Sequence, residues 1–172
     1  MLNDPINIRP IAVSDLESIV RIYNQAIDEG QKTADTIPVS LVNRLDWYNQ
    51  LQQTKLPALV AEIDDHVVGY AYSAPYRFGR PAVSKTIEIS FYVDQNCHRK
   101  GIATKLLSRL MDDCMEASFH NLLAILIESN TASKALLEKF GFSEWGRLPK
   151  VVEFGIQKLD HLYYGKSLTG NL

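Results

Sequence analysis

Two periods of apolar spacing alternate along this chain, and each change of period marks the edge of an element. A short run near Ile6 to Arg9 reads as a first strand. From about Asp15 to Glu29, Leu16, Ile19, Val20, Tyr23 and Ile27 recur at three- and four-residue steps, the stripe of an amphipathic helix. Ser14-x-x-Glu17 at its start has the form of a capping box, and Gly30 is a natural C-cap. Gln31 to Pro38 is polar and irregular. A second helix is expected after Ser40, with Leu41, Leu45, Tyr48 and Leu51 on one side. Leu59 to Ile63 and Val67 to Ser73 read as an antiparallel pair turning at Asp64-Asp65. They lead through a loop holding Arg77, Gly79, Arg80 and Pro81 to a strand over Thr86 to Val93. Ile102, Leu106, Leu107, Leu110, Met111, Cys114 and Met115 return to the helical period, and Leu122 to Ile127 is a continuous apolar run suited to a buried strand. A helix over Ala132 to Phe140 and two terminal strands, near Val151 to Phe154 and Leu162 to Lys166, complete a mixed α/β sheet protein without repeats, linkers or low-complexity tracts.

Length and composition narrow the function classes. The 172 residues fit one domain over 1–172, large enough to bury its own core. With 46% hydrophobic and 22% charged residues and a net charge of −2, no general attraction to nucleic acid or an anionic membrane is expected. The start at Asp4 and Pro5 lacks a signal-peptide layout, and no apolar run approaches the ~18 residues of a membrane span, so a cytoplasmic location is expected. Cys97 and Cys114 form no CxxC, and His66, His98, His120 and His161 have no ligand spacing, so neither a disulfide nor a metal is expected. Cys97, ahead of a helix, is placed as a thiolate nucleophile would be, although a lone cysteine is more often incidental.

Candidate chemistry concentrates between Thr86 and Leu107, where a strand passes through the basic turn Cys97-His98-Arg99-Lys100-Gly101-Ile102-Ala103 into a helix. The first-turn amides of that helix lack helical partners and, with the macrodipole, attract phosphate oxygens. The alternative is a plain strand-to-helix connection with Arg99 and Lys100 as solvated charges. The turn matches neither the Walker loop nor the G-x-G-x-x-G fingerprint. By strand alternation Glu88, Ser90 and Tyr92 share one face, while Ile87, Ile89, Phe91 and Val93 take the other. An unpaired carboxylate in such a strand is costly to ionise, which raises its pKa towards that of a useful base. The competing reading pairs Glu88 with Arg77 or Lys85 on a wet face.

This turn resembles the acyl-CoA pyrophosphate loop of the GCN5-related N-acetyltransferases, Arg/Gln-x-x-Gly-x-Gly/Ala, with Gly101 and Ala103 on the small positions and His98 in place of Arg/Gln. Ile8-Arg9-Pro10 with Ser14-Asp15-Leu16-Glu17 is similar to the family's first strand and helix, and Asn130-Thr131-Ala132-Ser133 with Leu136-Leu137-Glu138-Lys139-Phe140-Gly141-Phe142 to its later motif. The resemblance spans about residues 6 to 168. Ile22-Tyr23-Asn24-Gln25-Ala26-Ile27, Gly69 to Arg77 and Thr86 to Val93 resemble the phosphinothricin acetyltransferase branch, which acetylates the α-amine of small amino acids and analogues.

The resemblance implies a mixed, mostly antiparallel sheet of six to seven strands flanked by about four helices, and direct transfer from acetyl-CoA to a small-molecule amine. It implies Glu88 as base. Phe91, Tyr92 and Val93 would line the pantetheine by main chain, Arg99, Lys100, Gly101, Ile102, Ala103 and Thr104 would hold the pyrophosphate, and Asn130 and Ser133 would secure the arm. Arg77, with Tyr76 beside it, matches the branch's basic residue after Gly/Ala-Pro-aromatic and is expected to hold an acceptor carboxylate by two parallel hydrogen bonds. Arg80 and Lys85 read more simply as surface charge. A homodimer is also implied. Two positions depart from the branch: Leu137 stands where tyrosine or histidine protonates the leaving thiolate, and Ile89 where a histidine often follows the strand glutamate. Water, Tyr92, Tyr163 or Tyr164 then supplies the proton, or transfer is slow or lost. Two further readings stay open: transfer to a protein or peptide N-terminus or to a polyamine, and a non-catalytic acyl-CoA-binding module.

Overall fold

The structure, a computed structural model, describes residues 5–169; the leaderless start read at Asp4 lies outside them. Strand β1 (Asn7–Pro10) leads through a short 3-10 turn (Val13–Asp15) into α1 (Leu16–Asp28) and α2 (Leu41–Thr54). The hairpin β2 (Ala58–Ile63) and β3 (His66–Pro75) turns at Asp64 and Asp65, both at positive φ, as the paired aspartates implied. Then come β4 (Thr86–Val93), α3 (Ile102–Glu116), β5 (Asn121–Ile127), α4 (Thr131–Lys139), β6 (Ser143–Phe154) and β7 (Gln157–Ser167).

One seven-stranded sheet runs β1-β2-β3-β4-β5-β7-β6. Every neighbouring pair is antiparallel except β4 with β5, which are parallel and in register only at Thr86↔Asn121, Ile87↔Leu122 and Glu88↔Leu123. Pairing therefore stops at Glu88, and from Ile89 to Val93 the β4 edge on that side is left open.

Strand alternation sorts the sheet into two packed faces. Leu59, Ala61, Ala71, Ile87 and Ile89 meet Ile102, Leu106, Leu107 and Leu110 of α3 in the larger core. Val60, Tyr70, Tyr72 and Tyr92 meet Leu16, Ile19, Ile22 and Tyr23 of α1, with Trp47 and Tyr48 of α2, in the second. Gly69 sets how closely α3 approaches. A Cβ there would lie 3.1 Å from Ile102, Leu106 and the Tyr92 carbonyl oxygen, so the first turns of α3 sit almost on the β3 backbone.

Several expectations are corrected. The Ser14-x-x-Glu17 capping box does not form. Instead Asp15 accepts from the Ala12 amide at 2.8 Å and from Arg9 at 2.7 and 2.8 Å, and Arg9 also pairs with Glu62, tying β1, β2 and the start of α1 together. In α2, Leu41 and Leu45 are exposed while Arg44 and Leu51 are buried, because the helix meets the sheet through its aromatic residues and not through a leucine stripe. Met115 also faces solvent. The terminal strands extend well beyond the apolar windows that announced them. β6 begins at Ser143 and carries exposed Trp145, Leu148 and Val151, with register shifts between Glu144 and Gly146 and between Leu148 and Val152.

Candidate active site

A cavity of about 470 Å3 opens where β4 ends, between the β4–α3 turn and the start of α4. Phe91, Tyr92, Val93, Arg99, Gly101, Ile102, Ala103, Thr104, Asn130 and Ser133 all line it, so ten of the eleven residues read as cofactor contacts meet in one place. Lys100 does not; its ammonium lies 4.0 Å from the Cys97 sulfur. Ala26 of α1, Glu29 at its cap and Lys32 in the segment that follows, with Cys97, His98, Ala132 and Leu136, complete the wall. The α1 contribution has no signal in sequence, since only tertiary packing carries residues 26–32 to the loop.

The turn is built to present main chain. Arg99 and Gly101 both adopt positive φ, +62° and +80°, which curls the backbone just ahead of α3. Gly101 is the N-cap residue and offers no side-chain cap, so the helix-start amides at Ile102, Ala103 and Thr104 stay available, and the Lys105 amide makes the first helical bond to the Gly101 carbonyl. Such a cradle fits a pyrophosphate. His98 does not project a cation into it; its Nε2–H lies 3.1 Å from the Val93 carbonyl oxygen and donates there, closing the turn onto β4. Asp94 braces the same turn, accepting from the Asn96 amide at 2.9 Å and from Arg21 of α1. Burial pushes the Asp94 carboxyl upwards, but the Arg21 hydrogen bond and the Asn96 amide outweigh it and leave it below the usual range. At the α4 start, Asn130 is buried and its Oδ1 accepts from the Ser133 amide at 3.4 Å, which leaves its Nδ2 free for a ligand.

Glu88 sits at the last position of β4 that pairs with β5, on the face it shares with Ser90 and Tyr92 and opposite the small Ala74 of β3. It is half-buried, and among the described residues it has no ion pair or hydrogen bond, so the predicted alternative pairing with Arg77 or Lys85 is not formed. Burial raises its pKa above the ordinary carboxylate value. Beyond it the face turns aromatic. Tyr92 stacks on Tyr70 at 5.3 Å and meets Tyr23 edge-on at 4.9 Å, and Trp47 meets Tyr72 edge-on at 5.0 Å. Burial holds the Tyr70 and Tyr92 phenols well above their usual range, so both stay protonated at any physiological pH.

Tyr76 and Arg77 stand elsewhere, in a second cavity of about 530 Å3 walled by Leu56, Pro81, Phe119 and neighbours, and Glu88 lines neither this cavity nor the first. Arg77 is exposed and lies 5.4 Å over the Tyr76 ring. The sequence reading missed Arg44, a buried arginine beside Tyr23 and Trp47. Its signal was a cation falling between Leu41, Tyr48 and Leu51 on the helix side read as apolar. No cluster of three His, Cys, Asp or Glu side chains able to hold a metal occurs among the described residues.

The profile of the acetyltransferase (GNAT) family matches residues 18–142, which include β4, the turn, α3 and α4. The chain belongs to the GNAT acetyltransferase family. Its phosphinothricin acetyltransferase-like branch follows from individual relatives. YwnH of Bacillus subtilis (strain 168), named as a candidate phosphinothricin acetyltransferase, is 35% identical over 155 residues, 90% of this chain and 94% of that one. The L-methionine sulfoximine/L-methionine sulfone acetyltransferase of Salmonella typhimurium (strain LT2) is 34% identical over 143 residues, 83% of each chain. Among solved structures, a GNAT superfamily phosphinothricin acetyltransferase from Sinorhizobium meliloti in complex with acetyl-CoA superposes with a TM-score of 0.90 at 27% identity, over 95% of this chain and 88% of that one. In this GNAT acetyltransferase, acetyl-CoA is the acyl donor of the family chemistry, and the cavity and its helix-start amides fit that co-substrate. Leu137, at the position that elsewhere carries the thiolate's acid, is 1% exposed and belongs to the hydrophobic core. Of the three tyrosines that the sequence offers in its place, Tyr92 lines the cavity, whereas Tyr163 packs on His161 and Tyr164 donates to Glu138 at 3.2 Å.

Proposed function

We propose that this acetyltransferase moves the acetyl group of acetyl-CoA directly onto the α-amine of a small amino acid or amino-acid analogue of the methionine sulfoximine or phosphinothricin kind. The observation that carries the proposal is Glu88: half-buried, without an ion pair among the described residues, raised in pKa by that burial, and at the position of β4 where pairing with β5 ends, three residues before Phe91 begins the lining of the cavity that fits acetyl-CoA. The names of the relatives supply the acceptor class.

An amine must lose a proton to become a nucleophile, and Glu88, directly or through one water, accepts it. The amine nitrogen then attacks the thioester carbon and the C–S bond breaks, leaving the acetylated amine and the CoA thiolate. The β4 main chain from Phe91 to Val93, unpaired on its β5 side, is offered to the pantetheine arm, and an amide there polarises the thioester carbonyl. The turn from Arg99 to Thr104 takes the pyrophosphate through its amides, with the Lys100 charge outside the cavity wall, and Asn130 and Ser133 hold the arm at α4. The thiolate, whose thiol has an intrinsic pKa of roughly 8.5, leaves with a proton from water, since burial holds the Tyr92 phenol well above its usual range and makes it the weaker acid. Tyr76 and Arg77 are the sequence-based candidates for the acceptor carboxylate. A homodimer accompanies this reading as a family expectation, and a cytoplasmic location as one from the sequence.

The test is CoA release from acetyl-CoA, followed with a thiol reagent, across the common amino acids, methionine sulfoximine, phosphinothricin, spermidine and a short peptide, with Glu88→Gln alongside. Turnover on amino acids that collapses in the variant supports the proposal. Turnover only on the peptide or spermidine transfers the chemistry to another acceptor, and acetyl-CoA binding with no turnover on any amine makes the chain a binding module.

A further inference from the structure

Arg44 is a buried cation for which the fold supplies no anion. It is 7% exposed, and its guanidinium carbon lies 4.1 Å from the centroid of the Tyr23 ring and 5.0 Å from that of Trp47. Among the described residues no carboxylate pairs with it, its side chain donates no hydrogen bond, and its Nε is sealed from solvent without a partner. A guanidinium brings five N–H donors and keeps its charge, so two aromatic faces offset only part of what it loses on leaving water. The other arginines that approach the sheet from α1 and β1 are provided for: Arg21 has Asp94, and Arg9 has Asp15 and Glu62. Of the acids near the aromatic cluster, Asp35 is committed to the Tyr23 hydroxyl at 2.5 Å, and Asp46, two residues along α2 from Arg44, is exposed and makes no ion pair with it.

Position gives this imbalance a meaning. Trp47, under Arg44, meets Tyr72 edge-on; Tyr72 is opposite Ser90 in the sheet, and Glu88 is the next residue on that same face. Burial raises the Tyr72 phenol, which the Arg44 charge lowers and the Glu88 charge raises, yet among the described residues the two charges are not paired with each other. A small molecule with an anion at one end and an amine at the other satisfies both.

We propose that Arg44 is the anchor for the carboxylate, or equivalent anionic group, of the acceptor, gripping it from the Tyr23–Trp47–Tyr72 aromatic wall while the amine faces Glu88. This rests on the reading of the protein as an amine acetyltransferase and narrows it. A free α-carboxylate is required, so free amino acids and their analogues are acceptors, peptide N-termini are not, and a polyamine is repelled. Arg77, exposed to water, has far less to gain from the same anion.

The test uses the full chain carrying Trp145→Phe, which leaves Trp47 as the one remaining tryptophan of the two in the sequence. Its emission is followed on titration with N-acetyl-L-methionine and with its uncharged carboxamide, neither of which can be acetylated again at nitrogen. The acid is expected to bind at least ~10-fold more tightly than the amide, as a charge-assisted bidentate contact predicts. Arg44→Met erases that preference, Arg77→Met keeps it, and Arg44→Lys, which keeps the charge and loses the fork, falls between. Acetyl-CoA affinity and the melting temperature, measured on the same samples, report whether the variant is folded; if Arg44→Met is not, Arg44→Lys carries the test. With L-methionine sulfoximine and its carboxamide as acceptors, the acid-to-amide ratio in kcat/KM collapses in Arg44→Met through KM. Equal binding of acid and amide to the unaltered site, or a preference erased by Arg77→Met and kept by Arg44→Met, overturns the anchor. The two readings fail separately: amino-acid turnover with a ratio indifferent to Arg44 sinks the anchor alone, and Arg44-dependent binding of the acid without turnover on any amino acid sinks the acceptor reading alone.

Discussion

The two halves of the candidate site are made of different material. On the cofactor side, consecutive residues from Arg99 to Thr104 offer main-chain amides from a turn whose shape is set by two positive φ values and a helix start. On the acceptor side, Arg44, Tyr23, Trp47, Tyr72 and Glu88 come from α1, α2, β3 and β4 and act only through side chains. A site of amides tolerates changes of side chain, which is why His98 can stand at the Arg/Gln position and donate to Val93 with the cradle intact. A site of side chains changes with each substitution, so relatives that share a cofactor can differ in acceptor.

The largest effect that would sharpen this contrast is expected from Glu88→Gln. Removing a general base lowers kcat by about 10²-fold or more while acetyl-CoA affinity stays within about 2-fold; an equal loss of both, by steady-state kinetics and calorimetric titration, would merge the two halves into one. The pH dependence follows from the same burial. Because the Glu88 pKa is raised and a base must be ionised, the acid limb of kcat/KM has its midpoint above the ~4.3 of an exposed glutamate, and the variant loses that limb. Stability runs the other way. A raised folded-state pKa favours the fold fully below the unfolded value and loses that contribution as pH rises through the folded value, so near pH 8 the glutamine variant should melt above the wild type.

On the cofactor side, Gly101→Val forces a β-branched residue into the left-handed region at a cost of roughly 1–2 kcal/mol, and acetyl-CoA is expected to bind about 10-fold more weakly with the acceptor KM little changed. A change confined to the acceptor KM would break the division. Asn130→Ala removes the α4 cap and the free amide donor; a several-fold weaker acetyl-CoA affinity and a melting temperature lower by about 2–4 °C are expected, the latter from ~1 kcal/mol of lost capping. The smallest change is expected from Asp94→Asn, which loosens the Arg21 ion pair between α1 and the turn. Arg21 is largely exposed, so screening limits the loss to about 1 kcal/mol or less, read as a melting shift of up to roughly 2–4 °C at pH 7. The shift should shrink as pH falls through the depressed Asp94 pKa, where the wild type loses the same charge; a shift that stays constant with pH would assign the effect to packing.

How much of this was legible in the sequence follows the same division. The turn could be read because its signals are local: a glycine, its small neighbour and a helical period beginning at Ile102, all within one short stretch. The Glu88 face could be read because alternation is a property of one strand. The burial of Arg44 could not, since α2 looked like a leucine-faced helix and only the aromatic residues of β3 decide which side turns inward. The capping box misled for a related reason: Ser14 and Glu17 have the right spacing, but Asp15 had a stronger option in Arg9 on a strand that only the tertiary fold brings near. β6 was read short because its exposed positions break the apolar run, while its length is fixed by the ladder to β7.

The two register shifts in β6 also bear on how this protein behaves at high concentration. A twelve-residue outer strand with Trp145, Leu148 and Val151 facing solvent would be a template for open-ended stacking of chains if it were straight. Twice interrupted, it cannot continue its ladder into another chain for more than a few residues. The two interruptions thus guard that margin against strand-by-strand growth.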